Sequence, residues 1–116
     1  MILEQGSDAE ILSAANPIMD NLMEASTRID HASHTRDFTE RIKAIVTPEY
    51  LDKVCRQYQE EKGFFTEREF VALFRRPGAV AIIWKQHFSK APGEFVAEML
   101  LVERGAQLLV DHVMVW

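Results

Sequence analysis

The sequence predicts a single α+β domain in which helices come first and pack on a curved, four-stranded antiparallel sheet that ends at Trp116. Three observations carry that expectation. Apolar residues recur at helical spacing as far as Tyr58. After Gly63 the punctuation changes, and Pro77-Gly78, Pro92-Gly93 and Arg104-Gly105 cut the chain into apolar segments of strand composition. A content of 47% hydrophobic and 27% charged residues over 116 positions is that of one ordinary globular core. A chain of this length buries about two-thirds of its unfolded surface, so residues 1–116 are expected to form one domain.

Ser7 followed by Glu10 has capping-box spacing, so a first helix is expected to begin near Asp8. Ile11, Ala15, Ile18, Leu22, Ala25 and Ile29 form its apolar stripe, widened by Leu12, Met19 and Met23. Pro17 interrupts it, which predicts a kink, the alternative being a restart with Asn16 as cap. A second helix is expected over Thr35 to Val46, with Phe38, Ile42 and Ile45 on one side. In the third, Thr47 caps, Pro48 takes the first position, Leu51, Val54, Cys55 and Tyr58 make the stripe, and Gly63 ends it in left-handed geometry.

The expected strands are Phe64 to Arg75, Ala79 to Lys90, Glu94 to Glu103 and Ala106 to Trp116. A helix remains the alternative for the first, because Thr66 and Glu69 have capping-box spacing and Phe70, Leu73 and Phe74 have helical spacing. If each glycine turn is a tight hairpin, His87 lies opposite Glu98, Glu98 opposite Asp111 and Arg68 opposite His87. One face then carries a transverse row, Arg68, His87, Glu98 and Asp111, among Phe70, Ile83, Leu100, Val113 and Val115. The other holds Trp84, Gln86, Phe88, Phe95, Met99, Leu101, Val110, His112, Met114 and Trp116. Both faces are too apolar for water, and helices that precede the sheet cover only one of them. A homodimer packed sheet to sheet about a two-fold axis is therefore expected.

Charge and composition narrow the functions. With 13 Lys and Arg against 18 Asp and Glu, the net charge of −5 repels phosphate backbones, so no nucleic-acid partner is expected. No apolar run approaches the ~20 residues of a membrane helix, and Met1 to Ser13 lacks the basic start and apolar core of a signal peptide, so a cytoplasmic protein is expected. The single Cys55 sits in a helical stripe and reads as a small buried hydrophobe. His31 and His34 lie three apart, but no third ligand accompanies them, so no metal is expected. No motif calls for a cofactor. Glu67, Glu69, Arg75 and Arg76 read as strand-edge and turn charges.

Two constellations remain. The row Arg68, His87, Glu98, Asp111 is either acid-base machinery, since a histidine beside carboxylates shuttles protons near neutrality, or an ion-pair network at a dimer interface. Trp84, Gln86, His112 and Trp116, with Tyr58 from the third helix, are the amphipathic members of an apolar wall, as in a small-molecule pocket, or part of a dry core.

Thr47-Pro48-Glu49 through Gly63, then Trp84-Lys85-Gln86-His87-Phe88, Glu98 and Trp116, resemble in layout the nuclear transport factor 2-like superfamily, the cystatin-like α+β roll, and in particular its small bacterial members of unassigned function. The resemblance covers nearly the whole chain. It implies a sheet wrapped around helices to leave a conical pocket, in a superfamily that includes isomerases, dehydratases, epoxide hydrolases and non-catalytic binding modules. It assigns no catalytic residue here, because the only tyrosines, Tyr50 and Tyr58, are both on the third helix and no acid occupies a recognisable base position. The expectation is a dimeric domain that binds a small apolar molecule or a protein partner. The alternative is an isomerase or dehydratase using a pocket histidine with a carboxylate.

Overall fold

The computed structural model describes residues 2–116. In chain order these form α1 (Ile2–Gln5), α2 (Asp8–Arg28), α3 (His31–His34), α4 (Glu40–Ile45), α5 (Pro48–Lys62), β1 (Phe65–Arg76), β2 (Ala79–Phe88), β3 (Phe95–Arg104) and β4 (Gln107–Val115). The strands make one antiparallel sheet in the order β1-β2-β3-β4, and the class is α+β. Among the described residues no helix is long and apolar enough to cross a membrane.

The capping box forms as expected: Ser7 Oγ accepts from the Glu10 amide, and the Glu10 carboxylate accepts from the Ser7 amide. From there α2 continues for 21 residues across Pro17, with no restart at Asn16. Its stripe explains why. Ile11, Ala15, Met19 and Leu22 are all but fully buried on either side of the proline, and at about 1.5–3 kcal/mol per large side chain their packing outweighs an interior proline's cost of ~3 kcal/mol. The stripe ends one residue earlier than expected, because Ile29 is the left-handed cap (φ 55°) instead of the last helical residue.

The helix expected over Thr35 to Val46 is shorter. Residues 35–38 form a turn, and Thr39 begins α4. Phe38 leaves helical geometry because its neighbours pair in parallel with β4: the Val110 amide donates to Asp37 O at 2.7 Å, and the Thr39 amide to Val110 O at 3.0 Å. Thr47 caps α5 by accepting from the Tyr50 amide. Gly63 ends it at φ 86°, ψ −144°, a glycine region distinct from left-handed helix.

The strand expected over Phe64 to Arg75 forms, one residue displaced at each end, and the alternative helix for residues 66–74 does not; β1 pairs with β2 along its length. The pairing registers differ from the tight-hairpin expectation. Between β2 and β3, Ile82 opposes Met99 and Ile83 opposes Glu98, since residues 89–94 make a longer loop than a two-residue turn. That slip is by four residues, an even number, so the faces stay as expected. On β4 an odd slip occurs. Leu101 opposes Val110 but Leu100 opposes His112, so Asp111 is a bulge and the faces exchange beyond it. Val113 and Val115 turn inward, while His112, Met114 and Trp116 turn outward. Two further irregularities occur on β1, between Phe65 and Arg68 and between Phe70 and Ala72, and the second puts Arg68 on the inner face opposite Gln86.

α2 lies over the inner face. Ile11, Met19 and Leu22 pack with Val80, Ile82, Trp84, Met99, Leu101 and Val110 into one core. α1, absent from the sequence reading, adds Leu3, and the Glu103 carboxylate accepts from its free Ile2 and Leu3 amides. Ile83, Leu100, Val102 and Leu109 on the outer face stay half-exposed.

Candidate functional site

Between α2, α5 and the ends of β1, β2 and β4 the helices part from the sheet and leave a cavity of about 250 Å³. Its walls are mainly apolar, with Met19, Leu22 and Met23 from α2, Leu51 and Val54 from α5, and Phe65, Phe88, Val113 and Val115 from the strands. The Asp111 bulge is what turns the last two valines into this wall. Rings of Tyr58, Phe65, Phe88 and Phe95 meet at centroid distances of 5.0–6.1 Å along one end.

A small polar cluster interrupts the apolar wall. Ser26 Oγ lies 2.8 Å from Tyr58 Oη and 3.2 Å from Cys55 Sγ. Gln59 Nε2 donates to Tyr58 Oη at 3.4 Å, which leaves the phenol proton for Ser26. Burial pushes both the Cys55 thiol and the Tyr58 phenol up, so both are neutral at pH 7. A neutral buried thiol is a poor nucleophile. The trio holds three protons and makes two internal contacts, so one of its protons is spare within the trio, with Thr27 also beside the Tyr58 hydroxyl.

His34 also lines the cavity. Burial first, and the neighbouring His31 second, hold its pKa down to about 4. Its ring stands edge-on to Phe38 with centroids 5.3 Å apart, and its Nδ1 is buried without a hydrogen-bond partner. His31 points elsewhere: its Nε2 donates to Val46 O at 2.8 Å. Among the described residues no group of three or more potential metal ligands is assembled.

Of the residues expected to wall a pocket, the structure brings only Tyr58 to the cavity. Trp84 and Gln86 are buried in the core beneath α2. Gln86 Nε2 donates to the carbonyls of His87, Glu67 and Thr66, the last two freed by the β1 bulge. His112 and Trp116 are on the outer face, because the extra residue at Asp111 reverses the alternation after Val110. There Glu98 accepts from Trp116 Nε1 at 2.5 Å and from His112 Nε2 at 3.0 Å. The Trp116 hydrogen bond, above all, holds the Glu98 carboxyl below the usual range. This pair borders a depression of about 230 Å³, also lined by Arg76, Ala81, Ile83 and Leu100.

The expected charged row does not assemble, and none of its four members meets another. Arg68 lies inward, its guanidinium 5.3 Å from the Trp84 ring centroid and 2.7 Å from Asp20, because the irregularity between Phe70 and Ala72 turns it toward α2. His87 stays on the outer face. Asp111, out of line with Glu98 because the β3–β4 turn sets Arg104 opposite Gln107, accepts from Thr39 Oγ1 at 2.7 Å and from Arg41 Nε at 3.1 Å, while Arg41 also donates to its carbonyl. Arg41 chiefly, with Thr39, holds the Asp111 carboxyl low. Arg75 is likewise no free edge charge: it pairs with Asp8 at 2.7 Å. Sequence reasoning missed Ser26, His34 and Lys62 as cavity residues. Only Ser26 carried a usable signal, a polar residue directly after Ala25 on the apolar stripe of α2.

The sequence matches no protein-family model and no curated protein. Similar folds occur among solved structures. RPA3114 of Rhodopseudomonas palustris, a SEC-C motif containing protein, superposes with a TM-score of 0.57 at 11% identity, over 89% of this chain and 89% of its own. Bd1075 of Bdellovibrio bacteriovorus superposes with a TM-score of 0.53 at 6% identity over 89% of this chain, which spans 39% of that protein. A DUF4783 family protein from Bacteroides ovatus gives 0.48 at 10% identity, over 82% of this chain and 90% of its own. At such identities the first two similarities speak to the fold alone.

Proposed function

We propose that this chain is a nuclear transport factor 2-like binding module that holds a small, mainly apolar molecule between α2, α5 and the sheet. The observation that carries this reading is the cavity of about 250 Å³, apolar except for the Ser26, Cys55 and Tyr58 trio with its spare donor and for His34 and Lys62. An apolar body with one acceptor atom matches such a wall. The layout of helices on one face of a four-stranded meander supports the superfamily resemblance. The half-exposed outer face, with Phe74 at 55%, Met114 at 52% and Trp116 at 60% exposure, supports a homodimer packed through the sheet.

A neutral fluorescent probe, N-phenyl-1-naphthylamine, tests the cavity. Saturable enhancement is expected with the wild type. Val54→Trp, at the cavity rim, should weaken it at least tenfold without lowering the melting temperature. Equal binding by the variant would place the probe elsewhere and sink the reading.

One observation favours a second reading, an isomerase or dehydratase type of enzyme. His112 lies within hydrogen-bond reach of Glu98 beside the outer depression. Its acid is a weak base, held ionised below the usual range. His112→Gln should abolish any proton-transfer activity found under this reading and leave probe binding unchanged.

A further inference from the structure

The charge distribution around the cavity points to the chemical class of its guest. Among the described residues, Lys62 is the one formally charged side chain that lines it, and no aspartate or glutamate does. Three further groups of the wall are neutral: His34 loses its proton at about 4, and burial keeps the Cys55 and Tyr58 protons on.

Lys62 is the last residue of α5, where a lysine ordinarily answers the carbonyl end of a helix. Here that end is already served. Gln59 O accepts from the Gly63 amide, Glu60 O from Lys90 Nζ, and Lys62 O from the amides of Lys90 and Ala91. The Lys62 ammonium makes no ion pair among the described residues and lies 5.9 Å from the Phe95 ring centroid, at the end of a residue that is half-buried as a whole. In a chain of net charge −5, a cation on a half-buried residue with no carboxylate, at the edge of an apolar cavity, is complementary to an anion that brings its own apolar chain.

We infer that the guest is an amphipathic carboxylate of medium chain length, its head on Lys62 and its chain among Leu22, Leu51, Phe65 and Phe88. At ~30 Å³ for a group the size of water or a methylene, 250 Å³ holds about eight such groups, which suits octanoate. This assignment rests on the proposed binding function and adds the head-group chemistry to it.

Displacement of N-phenyl-1-naphthylamine by octanoate, octan-1-ol and octylamine, with wild type, Lys62→Gln and Lys62→Arg, separates the two. Octanoate is expected to bind at least tenfold more tightly than the alcohol and to exceed the amine further. Lys62→Gln should remove that preference while leaving the alcohol's affinity unchanged, Lys62→Arg should keep it, and raising the salt should erode it. If the alcohol binds and octanoate has no advantage, or if the advantage survives Lys62→Gln, the head-group assignment is overturned and the binding function stands. If none of the three chains displaces a bound probe, the head-group assignment is overturned; if the probe itself does not bind, both are overturned.

Discussion

At the scale of single residues, two polar side chains, one half-buried and one fully buried, set measurable behaviour. His34 takes up a proton near 6.5 when unfolded but only at about 4 in the fold, because burial and His31 oppose the charged ring. Protonation therefore favours the unfolded chain. The stability His34 confers is complete above pH 6.5 and is lost as the pH falls from 6.5 to about 4, by up to roughly 3 kcal/mol. Urea denaturation at pH 7 and pH 4.5 should show that loss in the wild type, and His34→Leu should flatten the difference. The carboxylates held low, Glu98 and Asp111, act in a separate window, below the ordinary carboxylate range. Gln86 is the second case. Its amide serves three carbonyls in a fully buried site, so Gln86→Leu should cost about 1–3 kcal/mol by leaving the bulge carbonyls unpaired. Gln86→Glu should cost more, because carboxylate oxygens would face carbonyl oxygens without water. A smaller loss for the acid than for leucine, again by urea titration, would refute this account of the bulge.

At the scale of elements, Gly63 joins α5 to β1 at a backbone conformation that needs no side chain. A Cβ there would lie 2.4 Å from Ser89 Oγ and 2.9 Å from the Lys90 amide nitrogen, at φ +86°. Ser89 Oγ accepts from the Phe64 amide, so it cannot simply withdraw. Gly63→Ala should destabilise the fold by at least the 1–2 kcal/mol of an unfavourable positive φ, and Gly78→Ala, whose Cβ would meet nothing within 4 Å, should cost less. Thermal melts of the pair compare steric and conformational costs directly. This junction was legible in the sequence, as were the capping box at Ser7, the cap at Thr47 and four strands within about two residues of their ends, since all rest on local chemistry. The bulges were not. Whether β4 accommodates an extra residue at Asp111 depends on Thr39 and Arg41, some 70 residues away, which bind its carboxylate. Whether β1 does so near Thr66 depends on Gln86. Alternation therefore assigned Val110 to the inner face correctly and His112 and Trp116 incorrectly, and with them went the expected pocket wall. Phe38 was misread for a similar reason: its helical spacing is genuine, but a backbone pairing with Val110 overrides it.

At the scale of the whole molecule, the helices cover one face of a sheet that is apolar on two. Ten-residue strands at about 3.3 Å per residue and four strands about 4.8 Å apart give an outer face of roughly 600 Å² in projection. Side-chain relief raises this toward the ~800 Å² per partner of a stable interface. Ile83 and Leu100 sit on the central strands of that face, with Phe74 toward one edge and Met114 and Trp116 toward the other. An isologous pairing would bury all of them at once. It would also bury Glu98 with its donors already in place, His112 and Trp116, so the carboxylate would not enter the interface unpaired. Sedimentation at micromolar concentration should give a species of twice 13.3 kDa. Ile83→Lys, a charge at the centre of the face and remote from the inner core, should convert it to a monomer with little change in probe binding, since the cavity opens on the other side of the sheet. A monomeric wild type would remove the dimer from the proposal. A variant that stays dimeric would move the interface to another surface, such as that of the exposed Ile45, Tyr50 and Val54.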